Sequence, residues 1–306
     1  MELYGFFPYP TRAEARNGIR AALPPRKQDS HKGEHGRAAL ACGSPLYAGA
    51  AILAAEGALR MGAGLTYLYS VSEAVAAARA RLPEVICREM PAASAALPEY
   101  LPYLSAADAV LLGCGIGQEG DGEAFCAALS AFLSEEGGAV VLDADALNLL
   151  SRHGARDILR GARRAVILTP HEMEFSRLSG LSLAEIKADR VGTACRFACD
   201  TGTTVLLKGA GSVIARADGS CSVCPSGSPA LSTGGTGDGL AGMLVGLLAQ
   251  GVAPADAAFI SAYLHGEAGE ALADRYSERG ILPSELPAEA ASILCDILKC
   301  NMENNT

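Results

Sequence analysis

The segment Ser232-Thr233-Gly234-Gly235-Thr236-Gly237-Asp238-Gly239 constrains this chain more than any other. It runs into residues 240–249, which are apolar on nearly every side and therefore read as a helix buried all round rather than laid on a surface. Such a helix needs structure on every face, so the rest of the chain has to close around it. At its amino end the first backbone N–H groups lack partners and the macrodipole places partial positive charge there. A glycine-rich turn at that end can surround a phosphate with donors that no side chain obstructs.

Asp238 is the anomaly in this turn, because a carboxylate beside a phosphate repels it unless the charge is used. One reading is a helix N-cap, for which aspartate is well suited. The other is a general base that takes a proton from a hydroxyl so that its oxygen can attack phosphorus. Gly237 and Gly239 keep the carboxylate reachable, but the turn alone leaves both readings open.

The chain has 306 residues, 50% of them hydrophobic, enough for a large core in one α/β domain or in two small ones. A net charge of −9 argues against a nucleic-acid partner, whose affinity would come from a basic face. No apolar run reaches the ~20 residues of a membrane span. The start, with Glu2, Pro8 and Pro10, lacks the basic and apolar regions of a signal peptide, so a cytoplasmic location is expected. In that setting the ten cysteines read as small buried hydrophobes. Cys195, Cys199, Cys221 and Cys224 offer four thiols in two pairs, as a zinc site would, but two expected strands and Lys208-Gly209-Ala210-Gly211 separate the pairs. No structural metal is expected there.

Residues 1–28 show no strong periodicity and, ending in Pro24-Pro25-Arg26-Lys27, read as an extended N-terminal arm. A basic loop with His31, Lys32 and His35 follows; such residues are either solvated or meet a phosphate or ring hydroxyl across the site. Small residues over 49–60 predict a closely packed helix, and 65–71 a strand. Helices are expected at 73–81 and 125–133, and strands at 107–112, 139–142, 165–168 and 205–207. Each of these last four delivers a polar or glycine-rich turn: Gly113-Cys114-Gly115-Ile116-Gly117, then Asp143-Ala144-Asp145, then Thr169-Pro170-His171-Glu172-Met173-Glu174, then Lys208-Gly209-Ala210-Gly211-Ser212. Capping by Asp145 is the simplest account of the second turn. Pro254 opens a further helix carrying His265-Gly266-Glu267, a weaker helical segment covers 283–300, and residues 301–306 should fray. Strands alternating with helices imply an α/β fold: a mostly parallel sheet covered on both faces, with ligands at the strands' carboxyl ends.

Taken in order, His31-Lys32-Gly33, the small-residue segment 49–64, Leu142-Asp143-Ala144-Asp145-Ala146-Leu147-Asn148, Thr169-Pro170-His171 with Glu174, Lys208-Gly209-Ala210-Gly211-Ser212, and the turn at 234–242 resemble the ADP- or ATP-dependent NAD(P)H-hydrate dehydratases. The resemblance covers roughly residues 24–273. It implies a ribokinase-like three-layer fold over 29–300 and no room for the epimerase domain that often precedes this one. It also implies Asp238 as catalytic base, Lys208 to Ser212 (Lys208, Gly209, Ala210, Gly211, Ser212) and Gly237 on the nucleotide, and Ala50, Gly115 or Gly117, and His171 on the hydrate. The N–H groups of Gly234, Gly235, Thr236 and Gly237 would stabilise charge on the transferring phosphoryl. Glu174 would act on Mg²⁺ through water, against the alternative of a solvated loop carboxylate.

Three departures stand out. His171-Glu172-Met173-Glu174 replaces the usual His-Pro-x-Glu, Gly113-Cys114-Gly115 replaces Gly-Pro-Gly, and Ser228-Pro229 replaces Asn-Pro. The implied reaction restores a hydrated nicotinamide: ADP or ATP phosphorylates the hydroxyl of NADH or NADPH hydrate, and the ring nitrogen then expels phosphate. A homo-oligomer, up to a tetramer, is expected, with small-molecule substrates only. The competing readings are a kinase of the same fold acting on a vitamin-type alcohol, and a catalytically silent nucleotide sensor.

Overall fold

The structure, a computed structural model, describes residues 11–299. Its sheet comprises β1 (Arg37–Ala41), β2 (Leu65–Ser70), β3 (Ile86–Glu89), β4 (Ala109–Leu112), β5 (Ala139–Leu142), β6 (Val166–Leu168), β7 (Thr204–Leu207), β8 (Val213–Ala215) and β9 (Cys221–Val223). The spatial order is β3-β2-β1-β4-β5-β6-β7-β8-β9. Pairings from β3 through β7 are parallel, and β8 and β9 add an antiparallel edge.

Alternate residues of the central strands feed two separate cores, which is the two-residue period of a strand buried on both faces. Leu40, Leu111, Val141, Ile167 and Leu206 point to one core, built with α1 (Arg12–Ala22), α2 (Ala48–Arg60), α3 (Ser72–Arg81), α11 (Thr236–Ala249), α12 (Pro254–Tyr276) and α13 (Leu286–Lys299). Their neighbours Val110, Leu112, Val140, Leu142 and Val205 point to the other. That second core is closed by α4 (Ala93–Leu104), α5 (Gly122–Ser134), α6 (Ala144–Arg152), α7 (Ala155–Arg160), α8 (Glu172–Ser179), α9 (Leu183–Ala188) and α10 (Arg190–Thr201). No helix among the described residues is long and apolar enough to cross a membrane.

α11 lies against α2 with its backbone almost touching. A Cβ added to Gly242 would lie 2.0 Å from the Ala54 carbonyl oxygen, and one on Gly57 would lie 2.5 Å from that of Gly239. Only glycine permits this approach, and it fixes where the amino end of α11 points. The helix begins at Thr236, before its apolar run, with Gly235 at φ 101° as N-cap. Asp238 is therefore the third helical residue and not the cap.

The segment expected as an extended arm contains a helix. Thr11 and Glu14 form a capping box at the start of α1, and Ala15 and Ile19 are buried in the core. One turn of apolar residues was too sparse a signal for periodicity to register. β3 and α4 also escape the sequence reading, for different reasons. β3 is an edge strand that is largely exposed and shows no alternation, while α4 carries Pro98 and Pro102 and a non-helical residue at Ala96. Residues 1–10 of the arm, and the fraying expected of 301–306, lie outside the described residues.

Candidate active site

Strand order reverses between β1 and β4, since β1 continues to β2 on one side while β4 continues to β5 on the other. The loops leaving such neighbours diverge and open a crevice. Here the two loops are joined by a hydrogen bond from Gly43 N–H to the Cys114 carbonyl at 2.8 Å. Gly115, at φ 62°, lets the second loop lie on the start of α2; a Cβ on it would meet Tyr47 Cβ at 2.7 Å and Ala50 Cβ at 2.9 Å. Ala50, Gly115 and the residues around them thus form one small wall. Gly117 N–H donates to Asp145 Oδ2 at 2.9 Å, and Gln118 Nε2 donates to Oδ1 at 2.9 Å. Asp145 anchors this loop instead of capping α6, whose N-cap position is held by Asp143.

Asp143 is 1% exposed and holds the centre of the site. Its Oδ1 accepts from Lys208 Nζ at 2.8 Å and from Thr169 Oγ1 at 2.8 Å. Burial alone would push the Lys208 ammonium towards neutrality, but the charges of Asp143 and Glu174 more than offset it and its pKa is pushed up to about 12. Lys208 is a permanent cation. It sits under the start of α11, where a Cβ on Gly237 would be 3.4 Å from Nζ.

Asp238 faces this pair from α11. Sγ of Cys114 and carboxylate oxygens of Asp143 and Asp238 lie within 4.8 Å of one another. Burial, and then the negative charge of Asp143, push the Asp238 pKa up to about 6, against the opposing pull of the Cys114 thiol and Lys208. A carboxyl in that range changes charge near neutral pH, as a proton acceptor in catalysis should.

His171 is the N-cap of α8. Its Nδ1 accepts from Met173 N–H at 3.1 Å and Glu174 N–H at 3.3 Å, while Glu174 Oε2 accepts from His171 N–H at 2.8 Å. Burial and the nearby Lys208 charge lower the His171 pKa, so the ring is neutral. Glu174 is 6% exposed, with burial raising its pKa, which replaces the solvated loop carboxylate of the alternative reading. The extra carboxylate, Glu172, turns away to pair with Arg190, whose guanidinium also reaches the Leu207 and Lys208 carbonyls. It braces the Lys208 loop from behind. Ser228 Oγ accepts from Ala230 N–H at 3.2 Å, the capping bond that an asparagine there would also make.

Beside the Lys208 ammonium opens a cavity of about 600 Å³, lined by residues 208–212, residues 224–229, Thr236, Gly237, Leu240 and His265. The volume suits a nucleotide. Gly234 and Gly235 are in the turn but not among the lining residues; Gly234 is exposed, and a Cβ on Gly235 would meet Leu53 Cδ1 at 2.8 Å. His31 is also elsewhere: its exposed ring pairs with Glu34 at 3.2 Å, ahead of β1 and so at the amino ends of the strands, opposite the site at their carboxyl ends. Of the four cysteines weighed for zinc, Cys195 and Cys221 face each other, Cys224 approaches Ser226 on the cavity wall and Cys199 is exposed.

Known proteins of similar sequence and fold give the chain its family. Residues 38–291 match the family model of the NAD(P)H-hydrate dehydratase domain. The chain belongs to the NAD(P)H-hydrate dehydratase family. The ADP-dependent (S)-NAD(P)H-hydrate dehydratase of Neisseria meningitidis serogroup B is 35% identical over 268 residues, 87% of each chain. The bifunctional NAD(P)H-hydrate repair enzyme of Escherichia coli is 37% identical over 264 residues, covering 86% of this chain but 48% of that protein. The chain thus spans about half the length of the bifunctional relatives. The ADP/ATP-dependent NAD(P)H-hydrate dehydratase of Bacillus subtilis, co-crystallised with ATP and Mg²⁺, shares 32% identity and superposes with a TM-score of 0.80 over 92% of this chain and 97% of its own.

Magnesium prefers oxygen ligands and keeps several waters, binding through one or two carboxylates and the phosphates it accompanies. Here Asp143 is committed to Lys208 and Asp145 to the Gly117 loop, whereas Glu174 spends one oxygen on the His171 N–H and holds the other 3.4 Å from His171 Nε2. A buried, braced carboxylate fits a hydrated cation. The thiol of Cys114 makes the tighter three-residue group a poorer match for so hard an ion.

Proposed function

We propose that this chain dehydrates (S)-NAD(P)H hydrate to NAD(P)H, consuming ADP or ATP and releasing phosphate with AMP or ADP. The carrying observation is the place of Asp238: it follows Gly237, which lines the cavity with Lys208, and its carboxyl lies within 4.8 Å of the Asp143 carboxylate and of the thiol of Cys114, the residue before Gly115 in the wall with Ala50. A nucleotide in the cavity puts its terminal phosphoryl at the α11 amino end, and a nicotinamide against that wall puts its ring hydroxyl at Asp238.

Asp238 takes the hydroxyl proton as the oxygen attacks phosphorus, and the bond from phosphorus to the nucleotide's leaving oxygen breaks. The Gly237 N–H and the Lys208 ammonium stabilise charge on the transferring group. The ring nitrogen's lone pair then expels phosphate, and loss of a proton from the adjacent carbon restores the double bond. Neutral His171 and Gly117 border the hydrate. Glu174 would hold Mg²⁺ through water; when bound, the ion neutralises charge on the nucleotide phosphates.

The test is turnover of chemically hydrated NADH and NADPH with ADP and ATP side by side, following nicotinamide absorbance and free phosphate together. Dehydration recovers both. A stable phosphorylated alcohol with no recovered absorbance would instead support the kinase, and nucleotide binding without turnover the sensor.

A further inference from the structure

His265 lies on α12, is 6% exposed and lines the nucleotide cavity. Its Nε2 is buried without a hydrogen-bond partner in the protein. Such a nitrogen is costly unless a ligand supplies the missing bond. Next to it, a Cβ on Gly266 would lie 2.3 Å from Ser226 Oγ, so α12 is pressed against the loop that forms the cavity's far wall.

The chemistry of the missing partner follows from the ring's state. The Thr236 backbone faces the ring and favours a proton on it, and with Nε2 bare that proton belongs on Nδ1, which leaves Nε2 as a lone-pair acceptor. Burial lowers the His265 pKa to about 4, so this neutral form holds throughout the physiological range. A lone pair repels phosphate oxygens. It requires a neutral O–H or N–H donor, and on an adenine nucleotide these are the ribose hydroxyls and the adenine amino group.

We propose that His265 recognises the nucleoside part of the bound nucleotide, its Nε2 accepting a hydrogen bond from a ribose hydroxyl or from the adenine amino group. The inference rests on the nucleotide-binding reading of the cavity given above. It adds a specificity-determining residue on α12 to the loop at 208–212.

Binding of ATP, 2′-deoxy-ATP, 3′-deoxy-ATP and purine riboside triphosphate, which lacks the amino group, is measured by calorimetry for the wild type and for His265→Phe and His265→Gln. The wild type should bind one of the three analogues about three- to tenfold more weakly than ATP, the loss of one net hydrogen bond. His265→Phe should bind ATP as weakly as that analogue and cease to discriminate against it, while His265→Gln, which places an amide near Nε2, should restore part of the preference. Because discrimination is a ratio within one protein, it does not depend on how much of a variant folds. Equal binding of all four nucleotides by the wild type, or undiminished discrimination by His265→Phe, overturns the proposal alone. Uniform weakening across every nucleotide in His265→Phe marks a packing role and overturns it too. A wild type that binds no adenine nucleotide overturns both this inference and the reading beneath it.

Discussion

At the scale of single residues, Asp238 carries the sharpest expectations. Asp238→Asn keeps the shape but cannot accept a proton, so kcat in the hydrate assay should fall by ~10²–10⁴ while nucleotide affinity is kept or improved. An Asn variant with near-normal kcat would refute the base. For the wild type, activity should rise with pH through about 6, where Asp238 loses its proton, and level off above it. The stability effect has the opposite sign to that of a salt-bridged carboxylate. The folded state holds the Asp238 proton more tightly than the unfolded chain, so stability falls as pH rises from about 3.8 to about 6 and stays lower beyond. Asp238→Asn should therefore raise the thermal midpoint at pH 7 and leave it unchanged near pH 3; a lowered midpoint at pH 7 would contradict the burial argument. Lys208→Ala should raise the nucleotide KM, and it also strips Asp143 of its buried partner at 2.8 Å, a loss of about 3–5 kcal/mol in stability that a denaturant titration would register. An unchanged nucleotide KM with a raised hydrate KM would move Lys208 to the other substrate.

At the scale of elements, the contact of α2 with α11 aims the glycine-rich turn that carries Asp238. Gly242→Ala puts a methyl into the Ala54 carbonyl, so one helix has to shift, at a cost of about 1–3 kcal/mol or more. Because Asp238 stands four residues earlier on the same helix, kcat should fall along with stability. Gly234→Ala, in the same motif but with open space around it, should change stability far less. Equal thermal midpoints for the two variants would show that the close approach does not set the helix position. The sequence shows both as glycines in one glycine-rich run; only the neighbour's backbone distinguishes a glycine required by contact from one that is not.

At the scale of the whole molecule, α1 is tied to the cavity through α12. Arg16 Nη2 reaches Glu267 at 2.8 Å and Arg12 Nη2 reaches Glu270 at 2.7 Å, while Glu270 Oε1 accepts from Gly227 N–H, on the cavity wall, at 2.9 Å. Glu270→Ala should release that wall and raise the nucleotide KM severalfold with kcat little changed, because nothing at Asp238 moves. A change confined to kcat would rule out this coupling. Elemental analysis of the purified protein checks the expectation of no structural zinc; stoichiometric zinc lost together with the fold on chelation would overturn it.

Local chemistry decided what could be read without coordinates. Apolar runs ending in glycine, lysine or carboxylate located the strands from β4 to β7 and the polar or glycine-rich turns after them, because a strand buried on both faces must be apolar and its end is where polar residues return. The glycine-rich turn announced a helix amino end for the same local reason. What depends on who lies opposite was not legible. Asp143 and Lys208 are 65 positions apart, and nothing in either segment reveals that they share a hydrogen bond. Asp145 carried every local mark of a cap and is instead spent on the Gly117 loop. The bare nitrogen of His265 is likewise a property of the fold, since a histidine inside an apolar helix is ordinary until the cavity beside it and the missing partner are both seen. Sequence determined the elements and the chemistry available at their ends; tertiary structure alone decided which groups are buried together, and burial together is what shifts a carboxyl towards neutral pH.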